Sequence, residues 1–484
     1  MNVYFVVNHR RDWPFETPGA TVITAREYIA NDNDVGADAA RTFNFCRTSR
    51  YQGRGYYVSL VAEARGHRPW PDVKTIEDLQ SDDPRRLLSG DDDAAWTILN
   101  APEGKITIES YFGRDPAGHN DAAARQLFAL LHAPFIRATF QCIDGRWTPT
   151  EARLLYPGHL DSAQLKFAAA AAADYLASSV RRQRGKGPPA LAILHNPDAP
   201  DPPSTPAALK MFCRIARDMG MRTEIVGRDA IERLPEFDAL FIRDTTHVNH
   251  YTYQFARRAV AEGLVVIDDP DSIVRATNKV FLYELLSRHQ IPMPRSLIVH
   301  RDNVDQIAAT LHFPCIVKLP DSAFSRGVAK VESQERLDEV LKTFFEQSEL
   351  VVAQEWVPTE FDWRVGVLDG RALYVCKYMM APGHWQVIKR EPGKHVEGKT
   401  IALTVGETPE IVVKTAVHAA SVVGDGLYGV DLKQVGDRCY VIEVNDNPNI
   451  DAGNEDGVLK EALYREVLGV FLRRIREHGK PVEV

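Results

Sequence analysis

The alternation of apolar and polar positions divides the chain into stretches of different period. VYFVV, close to the start, is an apolar run of strand length, and a turn at Pro18-Gly19 separates it from TVITAREYI. LKFAAAAAADYLASSV predicts a helix over about residues 161–182, because alanine supplies helix propensity at little side-chain entropy cost. RRQRGKGPP ends that helix. It reads either as a basic helix end answering the helix dipole and leading into a Gly/Pro linker, or as a patch for nucleic acid.

From Ala190 the rhythm changes to a strand ALAIL, a Pro-rich loop HNPDAPDPPSTP, a helix from about Ala207 to Gly220, then the strands TEIV and DALFIRD. Strand, helix and strand in that order predict a small parallel, Rossmann-like unit over 187–270, and the lack of GxGxxG speaks against dinucleotide binding. The remainder alternates β-rich and helical segments, with helices near Asn278–Gln290, Gln334–Gln347 and Pro409–Val423 and no internal repeat. Two long β stretches separated by helices predict two facing antiparallel sheets with a cleft between them.

A chain of 484 residues exceeds one compact core, so two to four domains are expected. Hydrophobic residues at 44% and charged residues at 26% describe an ordinary folded protein of mixed α/β class. A net charge of -8 gives no general attraction for nucleic acid or anionic membrane, so any basic site must be local. Six scattered cysteines with no CxxC pair suggest neither a zinc site nor a disulfide framework, and a cytoplasmic setting is expected. The opening residues resemble a first strand rather than a signal peptide, and no apolar run reaches the length of a spanning helix.

The sharpest chemical signal is YGVDLKQ followed by VIEVNDNP. Asp431, Glu443 and Asn445 fall at the ends or on one face of adjacent strands, because residues two apart on a strand point the same way. Three oxygen donors among apolar neighbours suit Mg²⁺; a satisfied polar cluster is the alternative. Lys318, inside CIVKLP, and Lys279, opening the helix after RATN, could neutralise phosphates as point charges or be surface residues. In DSAFSRGVAKV, the residues Ser325, Arg326 and Gly327 form a small turn able to fold over phosphates. VVAQEWV reads as a strand entering a hinge at Gln354, Glu355, Trp356 and Val357, where backbone groups could pair with an adenine edge. Glu360 is then placed for ribose hydroxyls or is simply exposed.

NK, IVK, a Ser/Gly loop, QEWV, DWR and GVDL with EVNDNP occur in the order found in ATP-grasp ligases, and over about residues 271–475 the chain resembles the RimK-like glutamate ligases. The resemblance implies an ATP-grasp fold of two facing subdomains in which the metal triad and the lysines hold ATP with Mg²⁺ or Mn²⁺, two ions in all. It also implies that a carboxylate attacks the γ-phosphate and that an amine displaces the resulting acyl phosphate. Arg364 of DWR and Lys377 of VCKYM, on consecutive β segments, would then face the cleft and steady the transferred group, or be ordinary sheet-face cations. APGHWQVIKREPGKHVEGKT departs from the family, which has an Arg-Ser-Asn and a His-Arg-Gly-Gly stretch there. Arg390 in it could contact a substrate carboxylate or phosphate or belong to a solvated lid, and a glutamate donor is not implied.

FNFCRTSRYQGRGYYVSLVAEARGHRPWP resembles the RLAN domain found ahead of some RimK-like modules, a likeness that carries no activity. Its polar and aromatic set would bind a second substrate, or form a packing surface with Tyr57, Leu60 and Val61 on a buried helix face. The expected organisation is an RLAN-like domain at 1–180, a Rossmann-like pre-ATP-grasp domain at 187–270 and the ATP-grasp domain at 271–475. The expected function is an ATP-dependent carboxylate-amine ligase acting on amino acid and carboxylate substrates, free or on a peptide or protein tail, and able to assemble as a homo-oligomer. A phosphotransferase on the same grasp and a nucleotide-binding scaffold are the alternatives.

Overall fold

The structure is a computed structural model that describes residues 2–30, 40–48, 53–79, 96, 98, 104–143, 146–183, 187–321, 327–391 and 394–478. The first region holds a four-stranded parallel sheet, in which Asn2–Val7 lies between Thr21–Thr24 and Ala40–Asn44 and Arg68–Trp70 forms one edge. A three-stranded antiparallel sheet accompanies it. Phe5, Trp13, Phe43, Phe45, Phe112 and Phe135 fill the core between them, and the helix Ser162–Gln183 closes it with Ala168, Ala171, Ala172 and Leu176. Small residues let that helix approach closely. The helix Arg54–Ala64 corrects one expectation: it buries Gly55, Val58, Ser59 and Ala62, whereas Tyr57 and Leu60 are each 38% exposed. The reason is steric, since a Cβ at Gly55 would come within 2.3 Å of the Arg47 carbonyl oxygen, so the glycine face is the one that packs.

The second region is a parallel sheet in the order Val265–Ile267, Ala239–Ile242, Ala190–Leu194, Arg222–Val226, with helices Pro206–Asp218 and Tyr251–Glu262 against it. Thr205 caps the first helix and Pro206 occupies its opening turn, a favoured start. The C-terminal helix Glu461–His478 packs Leu463, Tyr464, Val467 and Phe471 into the same core.

The third region carries two antiparallel sheets. One runs Ser296–Val299, Val351–Glu355, Cys315–Lys318, Val328–Val331; the other runs Thr400–Leu403, Arg371–Met379, Phe361–Leu368, Leu427–Val435, Arg438–Asp446. The second sheet lays one face on the helix Glu410–Val423, where Val365, Val375, Val430 and Val444 meet Val412, Ala416 and Val423. Its other face is free to carry polar groups. Two β-bulges set which residues appear there, one between Gly366 and Val367 and one between Asp431 and Leu432. No helix among the described residues is long and apolar enough to cross a membrane.

Candidate functional site

A cavity of about 630 Å³ lies between the two antiparallel sheets and is completed by the loops around Pro203 and Thr246 and by the segment following Asn445. Asp431 is the cross-strand partner of Glu443, and Gly429 of Asn445, so the three polar side chains share one face. The bulge is what makes this so. Towards the turn Leu432 pairs with Val441, and an uninterrupted register would have set Ile442 opposite Asp431 and sent Glu443 to the apolar side.

The charges are arranged in pairs. Lys279 Nζ stands 3.2 Å from Glu443 Oε1, and Arg364 grips Asp431 with two nitrogens, Nη2 to Oδ2 at 2.9 Å. Lys318 Nζ donates to Gln354 Oε1 at 2.8 Å, and Gln354 Nε2 to Ser296 Oγ at 3.0 Å. Burial alone would raise the Glu443 carboxyl, but Lys279 and Lys318 hold it below the usual carboxylate range. Burial lowers the Lys318 ammonium to about 8 against the opposing pull of Glu443. Burial would also lower Arg364, yet Asp431 holds its pKa well above the ordinary arginine value.

Asp431, Glu443 and Asn445 fit a small divalent cation, since two carboxylates and an amide offer hard oxygens on one face. Asn445 Nδ2 now lies 3.1 Å from Asp431 Oδ2, and a half-turn of the amide would exchange its nitrogen for its oxygen. Among the described residues no group of three or more His, Cys, Asp or Glu side chains is arranged for a metal, so the amide is needed to complete this set.

The cavity wall includes Lys279, Lys318, Gln354, Glu355, Trp356, Val357, Arg364, Asp431, Glu443 and Asn445. Trp356 meets Trp385 edge-to-face at 5.4 Å, and Lys330 Nζ lies 4.8 Å from its ring centroid. Gly327 adopts φ +62°, and a Cβ there would strike Leu319, so the turn requires glycine. Ser325 and Arg326 lie outside the described residues. Arg390 sits in the strand Ile388–Glu391, whose Ile388 lines the cavity.

Two expectations are not met. Glu360 is exposed and does not line the cavity. Lys377 occupies the opposite face of the sheet: it pairs with Trp363, not Arg364, and its Nζ lies 4.5 Å and 4.9 Å from the Phe361 and Trp363 ring centroids. The Gly366/Val367 bulge is the cause. Leu368 pairs with Arg371 at the turn, a register that would bring Val375 and Lys377 to the Arg364 face; the one-residue shift brings Cys376 and Tyr378 instead. Tyr378 is therefore the neighbour the sequence reading missed, its ring centroid 5.1 Å from the Arg364 guanidinium. Asp362 and Lys433 were missed as well, although period two from Arg364 and Asp431 signals both; they pair at 2.5 Å on the cavity wall.

A further buried group closes the cavity from the second region. Arg243, wholly buried, donates through Nε to Ser204 Oγ at 3.0 Å, through Nη1 to Asn447 Oδ1 at 2.7 Å, and through Nη2 to the Pro448 carbonyl at 2.8 Å and to that of Pro203. It ties the Pro-rich loop to the segment after Asn445. Asp446 beside it lines the cavity and is raised well above its ordinary value, by burial first and by Asp268 second, despite a hydrogen bond from Thr246.

Comparison with known proteins places names on two of the three regions. Residues 25–171 match the RimK-like ATPgrasp N-terminal domain, RLAN, and residues 276–458 match the RimK-like ATP-grasp domain. A probable alpha-L-glutamate ligase of Vibrio vulnificus (strain YJ016) is 25% identical over 254 residues, which cover 52% of this chain and 80% of that protein. One of Syntrophotalea carbinolica is 26% identical over 257 residues, with 52% and 80% covered. Among solved structures, a D-alanine–D-alanine ligase from Bacillus anthracis covers 60% of this chain and 100% of its own, at TM-score 0.46 and 17% identity. A RimK domain ATP-grasp protein from Sphaerobacter thermophilus covers 58% and 99%, at TM-score 0.44 and 13% identity.

Proposed function

Because the chain is an ATP-grasp ligase, with a RimK-like ATP-grasp domain behind an RLAN domain, we propose that it joins a carboxylate to an amine at the expense of ATP. The reading divides the chain into working units at 1–180, 187–270 and 271–475. The observation that carries it is the gathering of Lys279, Lys318, Arg364, Asp431, Glu443 and Asn445 from two facing sheets into one cavity.

On this reading Asp431, Glu443 and Asn445 hold Mg²⁺ or Mn²⁺, as one or two ions, and the metal supplies charge neutralisation on the phosphate oxygens. Lys279 and Lys318 meet the phosphates as point charges, and the Gly327 turn covers them. The strand end from Gln354 to Val357, with Trp356, faces the adenine. Gln354 does so through its backbone, since its side chain is taken up by Lys318 and Ser296. Arg364 stands where negative charge develops on the transferred group. Arg390 remains a candidate for the substrate's own anion.

A carboxylate oxygen attacks the γ-phosphorus and the bond to ADP breaks, giving an acyl phosphate. The amine nitrogen then bonds to the acyl carbon, phosphate departs with the C–O electron pair, and the nitrogen sheds a proton. ADP release by purified protein with Mg-ATP, against pools of amino acids, amines and carboxylates with mass spectrometry of each mixture, tests the reading. A product mass equal to both substrates less one water supports it; a phosphorylated product points to phosphotransfer; nucleotide binding without turnover points to a scaffold.

A further inference from the structure

Arg364 is held on more than one side. Its Nε and Nη2 are committed to Asp431, and its Nη1 makes no hydrogen bond with any described residue. The side chain is 12% exposed and lines the cavity, so Nη1 is the nitrogen left for a ligand. A guanidinium fixed by one carboxylate alone can still tilt about the line joining the two groups, and two neighbours oppose that tilt. A Cβ at Gly429 would lie 3.0 Å from Nη1 and 3.2 Å from Cδ of Arg364, so the bare backbone of the adjacent strand packs against the side chain. The Tyr378 ring covers it, with its centroid 5.1 Å from the guanidinium carbon. The negative face of an aromatic ring attracts a cation, the more strongly where water is excluded.

The ring is itself fixed. Tyr378 lies on the strand Arg371–Met379 as the cross-strand partner of Asp362 on one side and Thr400 on the other. Its hydroxyl donates to Glu455 Oε1 at 2.5 Å, and Glu455 Oε2 accepts from the Asp451 amide at 2.8 Å. Glu455 is 3% exposed, so the anchor is a buried one. Burial holds the Tyr378 hydroxyl well above its ordinary range, which keeps the proton on oxygen and the donor role with tyrosine.

We propose that Tyr378 is a positioning residue for phosphoryl transfer: its ring fixes the Arg364 guanidinium with Nη1 towards the terminal phosphate, and its hydroxyl fixes the ring through Glu455. The proposal rests on the ligase reading above. As the carboxylate oxygen bonds to the γ-phosphorus and ADP leaves with the electron pair of the broken P–O bond, negative charge shifts onto oxygens that a preset donor stabilises without reorganising. An arginine free to tilt would have to be ordered at that moment.

The test is isothermal titration of the full chain with Mg-ADP and with Mg-AMP-PNP, a non-hydrolysable analogue of ATP; the difference between them reads the contact with the terminal phosphate. Tyr378→Phe is compared with Tyr378→pentafluorophenylalanine, which keeps the shape of the ring and removes the negative charge of its face. Tyr378→Phe should keep Mg-AMP-PNP affinity within about threefold of wild type, and fluorination should then weaken it about tenfold, the scale of a desolvated cation–π contact, while Mg-ADP moves less than about twofold. In an Arg364→Met background fluorination should make no further difference. Equal loss for both nucleotides, no loss on fluorination, or a loss that persists without Arg364 would each overturn the proposal. The expected pattern in a protein that forms no amide on any carboxylate would instead sink the ligase reading and leave the positioning role standing; amide formation by a protein whose Mg-AMP-PNP affinity ignores fluorination would do the reverse.

Discussion

Replacing Lys318 by methionine should make the ligand-free protein more stable and its nucleotide complex weaker. The Lys318 ammonium is 9% exposed, and burial lowers its pKa from the ordinary 10.5 to about 8. That fall corresponds to about 3 kcal/mol of extra cost for carrying the charge in the folded state at pH 7. Methionine keeps the length of the side chain but leaves Gln354 Oε1 without its donor, which returns about 1–2 kcal/mol. A net gain of about 1–2 kcal/mol in urea unfolding at pH 7 is expected. The sign with pH follows from which state holds the proton. Below pH 8 lysine is charged in both states; between about 8 and 10.5 the folded state releases its proton while the unfolded chain retains it. Wild-type stability should therefore gain up to about 3 kcal/mol over that window relative to the variant, which has no such gain. Stabilisation by saturating Mg-ADP should fall in the variant, because the charge whose burial was costly is the one proposed to meet phosphate. A variant destabilised by more than about 1 kcal/mol, or one binding nucleotide as well as wild type, would refute the reasoning.

Glu443→Gln keeps volume but removes one carboxylate of the proposed metal set; turnover should fall by about a hundredfold or more while circular dichroism is unchanged, and wild-type turnover would exclude the metal role. Lys377→Met should leave kcat/KM within about twofold and cost less than about 1 kcal/mol of stability, the scale of an exposed cation–π contact; a large kinetic loss would contradict its placement on the far face. Arg243→Met should destabilise by about 3 kcal/mol or more in thermal unfolding, since the Asn447 amide oxygen, the Ser204 hydroxyl and two carbonyls lose their donor together.

The sequence carried the order of strands and helices well, because long apolar runs and the alanine-rich helix follow from local period and propensity. It carried the Asp431, Glu443 and Asn445 grouping too, as two acids and an amide within apolar strands have few homes. It could not carry the register. Period two assigns Lys377 and Tyr378 to opposite faces without saying which is which, and the single extra residue at Gly366/Val367 decides. The turn of the helix after Arg54 failed for a related reason: Tyr57 and Leu60 are the more apolar side chains, but Gly55 and Ser59 permit the closer approach. The closure of the cavity escaped notice because the Pro-rich loop and the segment after Asn445 are tied together by Arg243, which comes from a third segment.

That knot has a consequence for the order in which the protein can be made. Arg243 precedes its partner Asn447 by 204 residues, and the bond from Ser204 to Ile450 spans 246. At about 5–20 residues per second a ribosome leaves the guanidinium waiting for roughly 10 to 40 s before Asn447 emerges. The parallel sheet that carries Arg243 must therefore spend the interval with a hydrated cation at the end of an interior strand and without the Glu461–His478 helix over its core. The cavity closed by these segments is thus completed only once Asn447, Pro448 and Ile450 have emerged, although the sheet that carries Lys318 already has all its strands by Glu355.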